Sequence, residues 1–120
     1  MKVLVAEKLA PEGVALLQAD HDVHVRVGLS REEFLAALPE YEALLVRSGV
    51  KVDAEAIAAG RSLVVIGRAG VGVDNIDIPA ATAAGITVVN APTGNTTAAA
   101  EHTLALLLSL IHISEPTRRH

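Results

Sequence analysis

Residues 62–67 read SLVVIG and lead into RAGVGVDNI (68–76). An apolar run of strand length with no polar alternation matches a parallel strand covered on both faces. A glycine-rich turn behind such a strand is where α/β proteins bind phosphates and dinucleotides. Working outward, strand and helix signals alternate along the chain. KVLVA (2–6) is a short Val-rich run, too short for a helix. Pro11 suits a first helical turn, and Val14, Leu16 and Leu17 supply that helix's apolar face. DVHVRV (22–27) alternates as a half-exposed edge strand does. Ser30 and Glu33 have capping-box spacing, opening a helix that carries Phe34, Leu35 and Leu38 inward.

The third strand is EALLVR (42–47). Asp53 caps a short helix, AEAIAA, and Gly60 stands where a left-handed residue ends one. A brief helix near 80–84 stops at Gly85, and ITVVN (86–90) is the fifth strand. Asn95 or Thr96 caps a last helix, with Leu104 and Leu107 on it. Consecutive βα units predict an α/β fold, a flavodoxin-like or Rossmann-like parallel sheet with helices on both faces. Ligands of such sheets bind beyond the strand C-terminal ends. RSG (47–49), GRAGVG (67–72) and NAPTGNT (90–96) all fall on that edge.

Composition narrows the function classes. A chain of 120 residues, 51% hydrophobic, is one domain or part of one. Phe34 and Tyr41 are its only aromatics, the net charge is −4, and no Lys/Arg stripe precedes the tail. Nucleic-acid binding is disfavoured on all three grounds. The longest wholly apolar run, 104–108, falls far short of the roughly 20 residues that span a bilayer. MKVLVAEKL lacks the features of a secretory signal, and without cysteine there is neither a disulfide framework nor a thiolate metal site. The expectation is a cytoplasmic chain with no membrane, nucleic-acid or metal partner.

Gly70-x-Gly72 is followed three residues later by Asn75, Pro79 interrupts any long helix, and the next strand ends in Asn90 instead of an acid. These departures exclude a pyrophosphate cradle of the dinucleotide type. Free backbone N–H groups at 69–72 suit a single carboxylate or phosphate instead, while a tight turn needing glycines remains the plain alternative. A phosphoacceptor domain needs acids where Ala6-Glu7-Lys8 and Arg47-Ser48 stand, and EKLAPEG is poor in the Ser, Thr and Gly of a flavin phosphate loop.

VRSGVKVDAEAI (46–57), VVIGRAGVGVDNIDIPAATAAGITVVNAP (64–92) and TGNTTAAAEHTLALLL (93–108) closely resemble the phosphoglycerate branch of the NAD-dependent D-2-hydroxyacid dehydrogenases. The resemblance runs from Met1 to about residue 107. It implies a substrate-binding, flavodoxin-like domain over 1–107, incomplete, from which a helix crosses to a separate NAD-binding domain. The implied reaction is oxidation of the CH–OH group of a 2-hydroxyacid by hydride transfer to NAD, with 3-phosphoglycerate and serine biosynthesis foremost. The family's catalytic Arg, Glu and His lie downstream of residue 120, so the segment is expected to be inactive alone, and the parent is expected to be a homo-oligomer. Carried over residue by residue, Arg47 and Ser48 match positions holding the substrate's phosphate or carboxylate end. Gly70, Val71 and Gly72 match the turn that binds the substrate carboxylate, and Val71 also the nicotinamide side of NAD. Asn95 matches a polar position of the interdomain cleft.

Each residue also has a reading without function. Arg47 pairs with Glu42 or Asp53 at the surface, and Ser48 caps a turn. Asp74 and Asn75 stabilise the turn through side chain to backbone bonds. Glu101 and His102, neighbours about 100° apart on a helix, cap and hinge it. His21 and His24 lie solvated at an edge strand. The rival for the whole is a stand-alone flavodoxin-like module binding a small anionic metabolite without chemistry. From residue 108 the chain reads LSLIHISEPTRRH and leaves the family pattern. LSLIHISEPTR is also encoded, codon for codon, by one frame of a transposon-based sequencing adapter. The expectation is that 108–120 is a non-native tail.

Overall fold

The computed structural model describes residues 1–9, 11–69 and 75–91. Five strands form one parallel sheet in the order β2-β1-β3-β4-β5: β1 Lys2–Val5, β2 Asp22–Val25, β3 Ala43–Val46, β4 Val65–Ala69 and β5 Thr87–Ala91. This is the flavodoxin-like order that the βα alternation predicts. The helices are α1 Pro11–Asp20, α2 Arg31–Ala37, α3 Ala54–Ala59 and α4 Ile78–Ala83. The expected last helix, with its cap at Asn95 or Thr96, and the expected tail at 108–120 lie outside the described residues.

Strand alternation divides the core in two. Leu4, Ala6, Leu44, Val46 and Ile66 pack with Phe34, Ala56, Ile57 and Ala81 of α2, α3 and α4. Val3, Val5, Ala43, Leu45 and Val65 pack with Leu17 of α1. The chain steps outward from β1 to β2, then returns past β1 and continues through β3, β4 and β5. With crossovers of one hand, that reversal sends α1 to one face and the later helices to the other. It also opens a crevice between the C-terminal ends of β1 and β3.

Several local expectations hold. Ser30 Oγ accepts from the Glu33 amide while Glu33 accepts from the Ser30 amide, completing the capping box. Asp53 accepts from the Ala56 amide at 3.1 Å, and Gly85 takes the left-handed conformation with φ of 77°. β2 is an edge strand, paired with β1 alone.

Others are corrected by packing. Gly60 has φ of −81°, so left-handedness is not its reason; a Cβ there would lie 2.4 Å from Leu63 Cδ1, which is buried. The turn at 60–63 delays β4, which begins at Val65 and runs on through Gly67, Arg68 and Ala69. Leu16 is 37% exposed, because the buried stripe of α1 follows Gly13, Leu17 and then His21 at four-residue intervals. His21 is therefore buried, not solvated. His24 is half-buried, its Nδ1 2.8 Å from the Tyr41 hydroxyl and its ring edge-on to Tyr41. Asp77 caps α4 through the Ala80 amide, which places the helix start two residues before the expected one.

Capping also sets the acid response. The Ala56 amide, and then the Arg31 guanidinium, hold the Asp53 carboxyl below its ordinary value of 3.8. Hydrogen bonds from Ser30, the backbone one foremost, hold Glu33 below 4.5. A carboxylate with a lowered folded-state value stabilises the fold fully above its unfolded value, and that contribution vanishes as pH falls through the lowered one. Urea unfolding should therefore show stability falling with pH below about 4, and Asp53→Asn should flatten that slope. An unchanged slope would show that these bonds do not contribute. Gly60→Ala should cost about 1–3 kcal/mol by overpacking, measured at neutral pH; a neutral substitution would mean that Leu63 moves aside freely.

Candidate functional site

Val46, Arg68 and Asn90 stand in register across β3, β4 and β5, which brings the start of the 47–49 segment to the sheet edge where β4 and β5 end; 70–72 and 92–96 of the expected ligand edge lie outside the described residues. Residues 47–50 leave that edge from β3, beside the crevice at β1. Two sets of hydrogen bonds fix their backbone. From the β1 side, Glu7 Oε2 accepts from the amides of Arg47 and Val50, and Glu7 Oε1 from that of Gly49 at 2.9 Å. From the β4 side, Asn75 Nδ2 donates to the carbonyls of Arg47 at 2.7 Å and Val50 at 2.8 Å. Asn75 Oδ1 in turn accepts from Arg68 Nε. The backbone at Asn75 is itself tied down, since its carbonyl accepts from the Val52 amide at 2.7 Å.

A carboxylate without protons accepts only, so the amides of a tightly turning loop are its natural partners. The turn is close enough that a Cβ on Gly49 would sit 2.7 Å from Glu7 Oε1. Absence of a side chain is therefore the requirement at Gly49.

With its peptide groups held, the segment presents the side chains of Arg47 and Ser48. Arg47 is half-buried and Ser48 exposed. Arg47 makes no ion pair among the described residues. Its two expected surface partners are engaged elsewhere: Asp53 with Arg31, and Glu42 as acceptor from the Lys2 amide at 3.1 Å. Arg31 also donates to the carbonyl of Lys51, and its bonds, that to Asp53 foremost, raise its pKa further.

Two hollows flank the segment and share Gly49 and Lys51 in their walls. One, of about 440 Å³, lies between the end of β1 and α2, with Glu7, Lys8, Arg31 and Phe34 among its lining residues. The other, of about 360 Å³, is lined by Ser48, Gly49, Lys51, Arg68 and Asn75. Lys51 is exposed in its wall, whereas Arg68 is buried and bonded to Asn75.

Of the expected site residues, Arg47 and Ser48 adjoin on the segment held by Glu7 and Asn75; Ser48 lines the second hollow, and Arg47 is in the lining of neither. Gly70, Val71, Gly72 and Asn95 lie outside the described residues, as does Asp74. Ala69, expected to offer a free turn amide, is the last residue of β4, opposite Ala91. Asn75 stabilises the local backbone through its side chain, as expected. Glu7 and Arg68 were not singled out. The only sequence signal for Glu7 is an acid immediately after the first strand; for Arg68 it is a cation inside an otherwise apolar run.

The family model for the catalytic domain of D-isomer specific 2-hydroxyacid dehydrogenases matches residues 3–116. A D-3-phosphoglycerate dehydrogenase of Archaeoglobus fulgidus is 56% identical over 110 residues, covering 91% of this chain and 21% of its own length. One from Synechocystis is 50% identical over 118 residues, covering 98% and 21%. The chain thus spans about a fifth of the length of these curated relatives. Among solved structures, the NAD+-bound 3-phosphoglycerate dehydrogenase of Entamoeba histolytica superposes with a TM-score of 0.70 at 33% identity, over 79% of this chain and 34% of that one. A Thermus thermophilus protein gives 0.70 at 33% identity over 98% and 39%. The family model and the parallel sheet agree: the chain belongs to the D-isomer specific 2-hydroxyacid dehydrogenase family.

Proposed function

We propose that this chain is the substrate-gripping segment, 1–107, of an NAD-dependent dehydrogenase that oxidises the CH–OH group of a D-2-hydroxyacid. 3-Phosphoglycerate is the foremost substrate, which would place the parent enzyme in serine biosynthesis, in the cytoplasm and as a homo-oligomer. The observation that carries the reading is Arg47 and Ser48 on a clamped segment at the sheet's C-terminal edge, with Ser48 and Lys51 in the wall of the adjoining hollow. The substrate's anionic ends supply the opposite charge. A guanidinium meets either a carboxylate or a phosphate with paired N–H donors, and the Ser48 hydroxyl adds a third. The match of Gly70, Val71, Gly72 and Asn95 to the carboxylate turn and cleft supports the same role.

NAD itself does not fit the described residues. The β1–α1 connection has no glycine before Gly13, and its acid, Glu7, is spent on backbone amides. No described strand end offers a glycine cradle for a pyrophosphate, so no step is routed through the cofactor here. In this reading NAD is held by the parent's Rossmann domain, with Val71 reaching its nicotinamide side, and residues 108–120 are not part of the natural enzyme.

In the full-length enzyme, Arg47→Ala should raise KM for 3-phosphoglycerate by about ten- to a hundredfold, the worth of a charged hydrogen bond pair. KM for NAD should stay within about twofold, because uniform binding of the other substrate is untouched. An unchanged KM for the hydroxyacid would remove Arg47 from the site. The 120-residue chain on its own should reduce no NAD with any 2-hydroxyacid. Turnover by pure material would show that the chemistry resides in these residues after all.

A further inference from the structure

We propose that Glu7 is a positioning residue for the anion-binding segment: its carboxylate sets the direction in which Arg47 and Ser48 meet the substrate. The inference rests on the reading of Arg47 and Ser48 just given.

Both oxygens of Glu7 are committed to the segment. Oε2 binds the amides of Arg47 and Val50, and Oε1 that of Gly49. Glu7 thus reaches across the crevice between β1 and β3 and bonds on either side of Ser48. The first of these amides is Arg47's own, so the bond fixes the peptide plane from which the Arg47 side chain departs. Asn75 holds the carbonyls of Arg47 and Val50 from the β4 side. The segment is gripped at five backbone groups by two side chains, and the Arg47 and Ser48 side chains remain to address a ligand.

Charge explains why an acid serves here. Neutral acceptors bind amides more weakly than a carboxylate does. Glutamine could satisfy one side, but it would turn an NH2 toward the donors on the other. The negative charge also lies next to an anion-binding segment, where it opposes the ligand. It is tolerable because three N–H dipoles converge on it. The arrangement exchanges some attraction for a fixed geometry, and anion recognition by a guanidinium depends on geometry.

The test compares Glu7→Gln, Glu7→Ala, Arg47→Ala and the Glu7→Gln/Arg47→Ala double variant in the full-length enzyme. The measured quantities are KM for 3-phosphoglycerate, KM for NAD, kcat and Tm. A misplacement near 1 Å costs up to about a hundredfold. Glu7→Gln should therefore raise KM for 3-phosphoglycerate about tenfold and Glu7→Ala more, with KM for NAD unchanged. In the double variant the loss should be close to that of Arg47→Ala alone, because Glu7 acts through Arg47. A role in stability only would lower Tm and the active fraction while leaving KM where it was, and that result overturns the proposal. Full additivity in the double variant overturns it as well. If Glu7→Ala does not fold, Glu7→Gln and the double variant still decide. Should Arg47→Ala raise KM while Glu7→Gln does not, the proposal for Glu7 fails and the substrate-gripping reading stands. Should neither variant move KM, both fail.

Discussion

The Glu7 carboxylate closes a gap that the sheet itself leaves open. β1 and β3 are neighbours through Val3–Val5, and their ladder ends where both chains depart from the C-terminal edge. Beyond that point no strand pairing among the described residues holds 47–50, although their amides are as demanding as any in the ladder. Glu7 supplies the missing acceptors, and Asn75 supplies donors for the carbonyls. The backbone of 47–50 is thus held by side-chain hydrogen bonds at the reversal of strand order, where an open α/β sheet has room for a ligand.

The same economy recurs in the three described helices that follow β2. Each of α2, α3 and α4 is six or seven residues long, too short to persist alone. Each has a side-chain cap, from Ser30, Asp53 and Asp77 in turn, and the buried residues they bring to the sheet are Phe34 and Ala37, Ala56 and Ile57, and Ala81. Asp53 is doubly engaged, capping α3 while receiving Arg31 from the start of α2. Asp53, one of the two surface acids expected to pair with Arg47, is thus committed to Arg31 and to its own helix.

Much of the fold was legible because it rests on local signals. Apolar runs, the Ser30 and Asp53 caps and Gly85 each name their conformation without help from distant residues. What escaped depends on contacts far apart in sequence. Gly60 reads as a left-handed stop, yet its role is to leave space for Leu63. The glycines of GRAGVG draw attention to a turn, while Gly67, Arg68 and Ala69 continue a central strand whose buried guanidinium reaches Asn75. Arg47 and Ser48 stand out only through family resemblance, and Glu7 not at all, because nothing near it in sequence shows that its partners lie forty residues away. His21 and His24 show the same limit: His21 is buried and His24 half-buried against Tyr41, and edge-strand periodicity gives no hint of either.

The central claim is that these residues are the first part of a larger dehydrogenase. Its most direct test is to amplify the source DNA across the codons for Leu107 and Leu108 and read onward without a transposon-made library. The account predicts that the frame continues into an Ala- and Arg-bearing helix and then a strand followed by Gly-x-Gly-x-x-Gly. Genomic DNA that encodes ISEPTRRH followed by a stop would contradict it, and a free-standing anion-binding module would then be the better description.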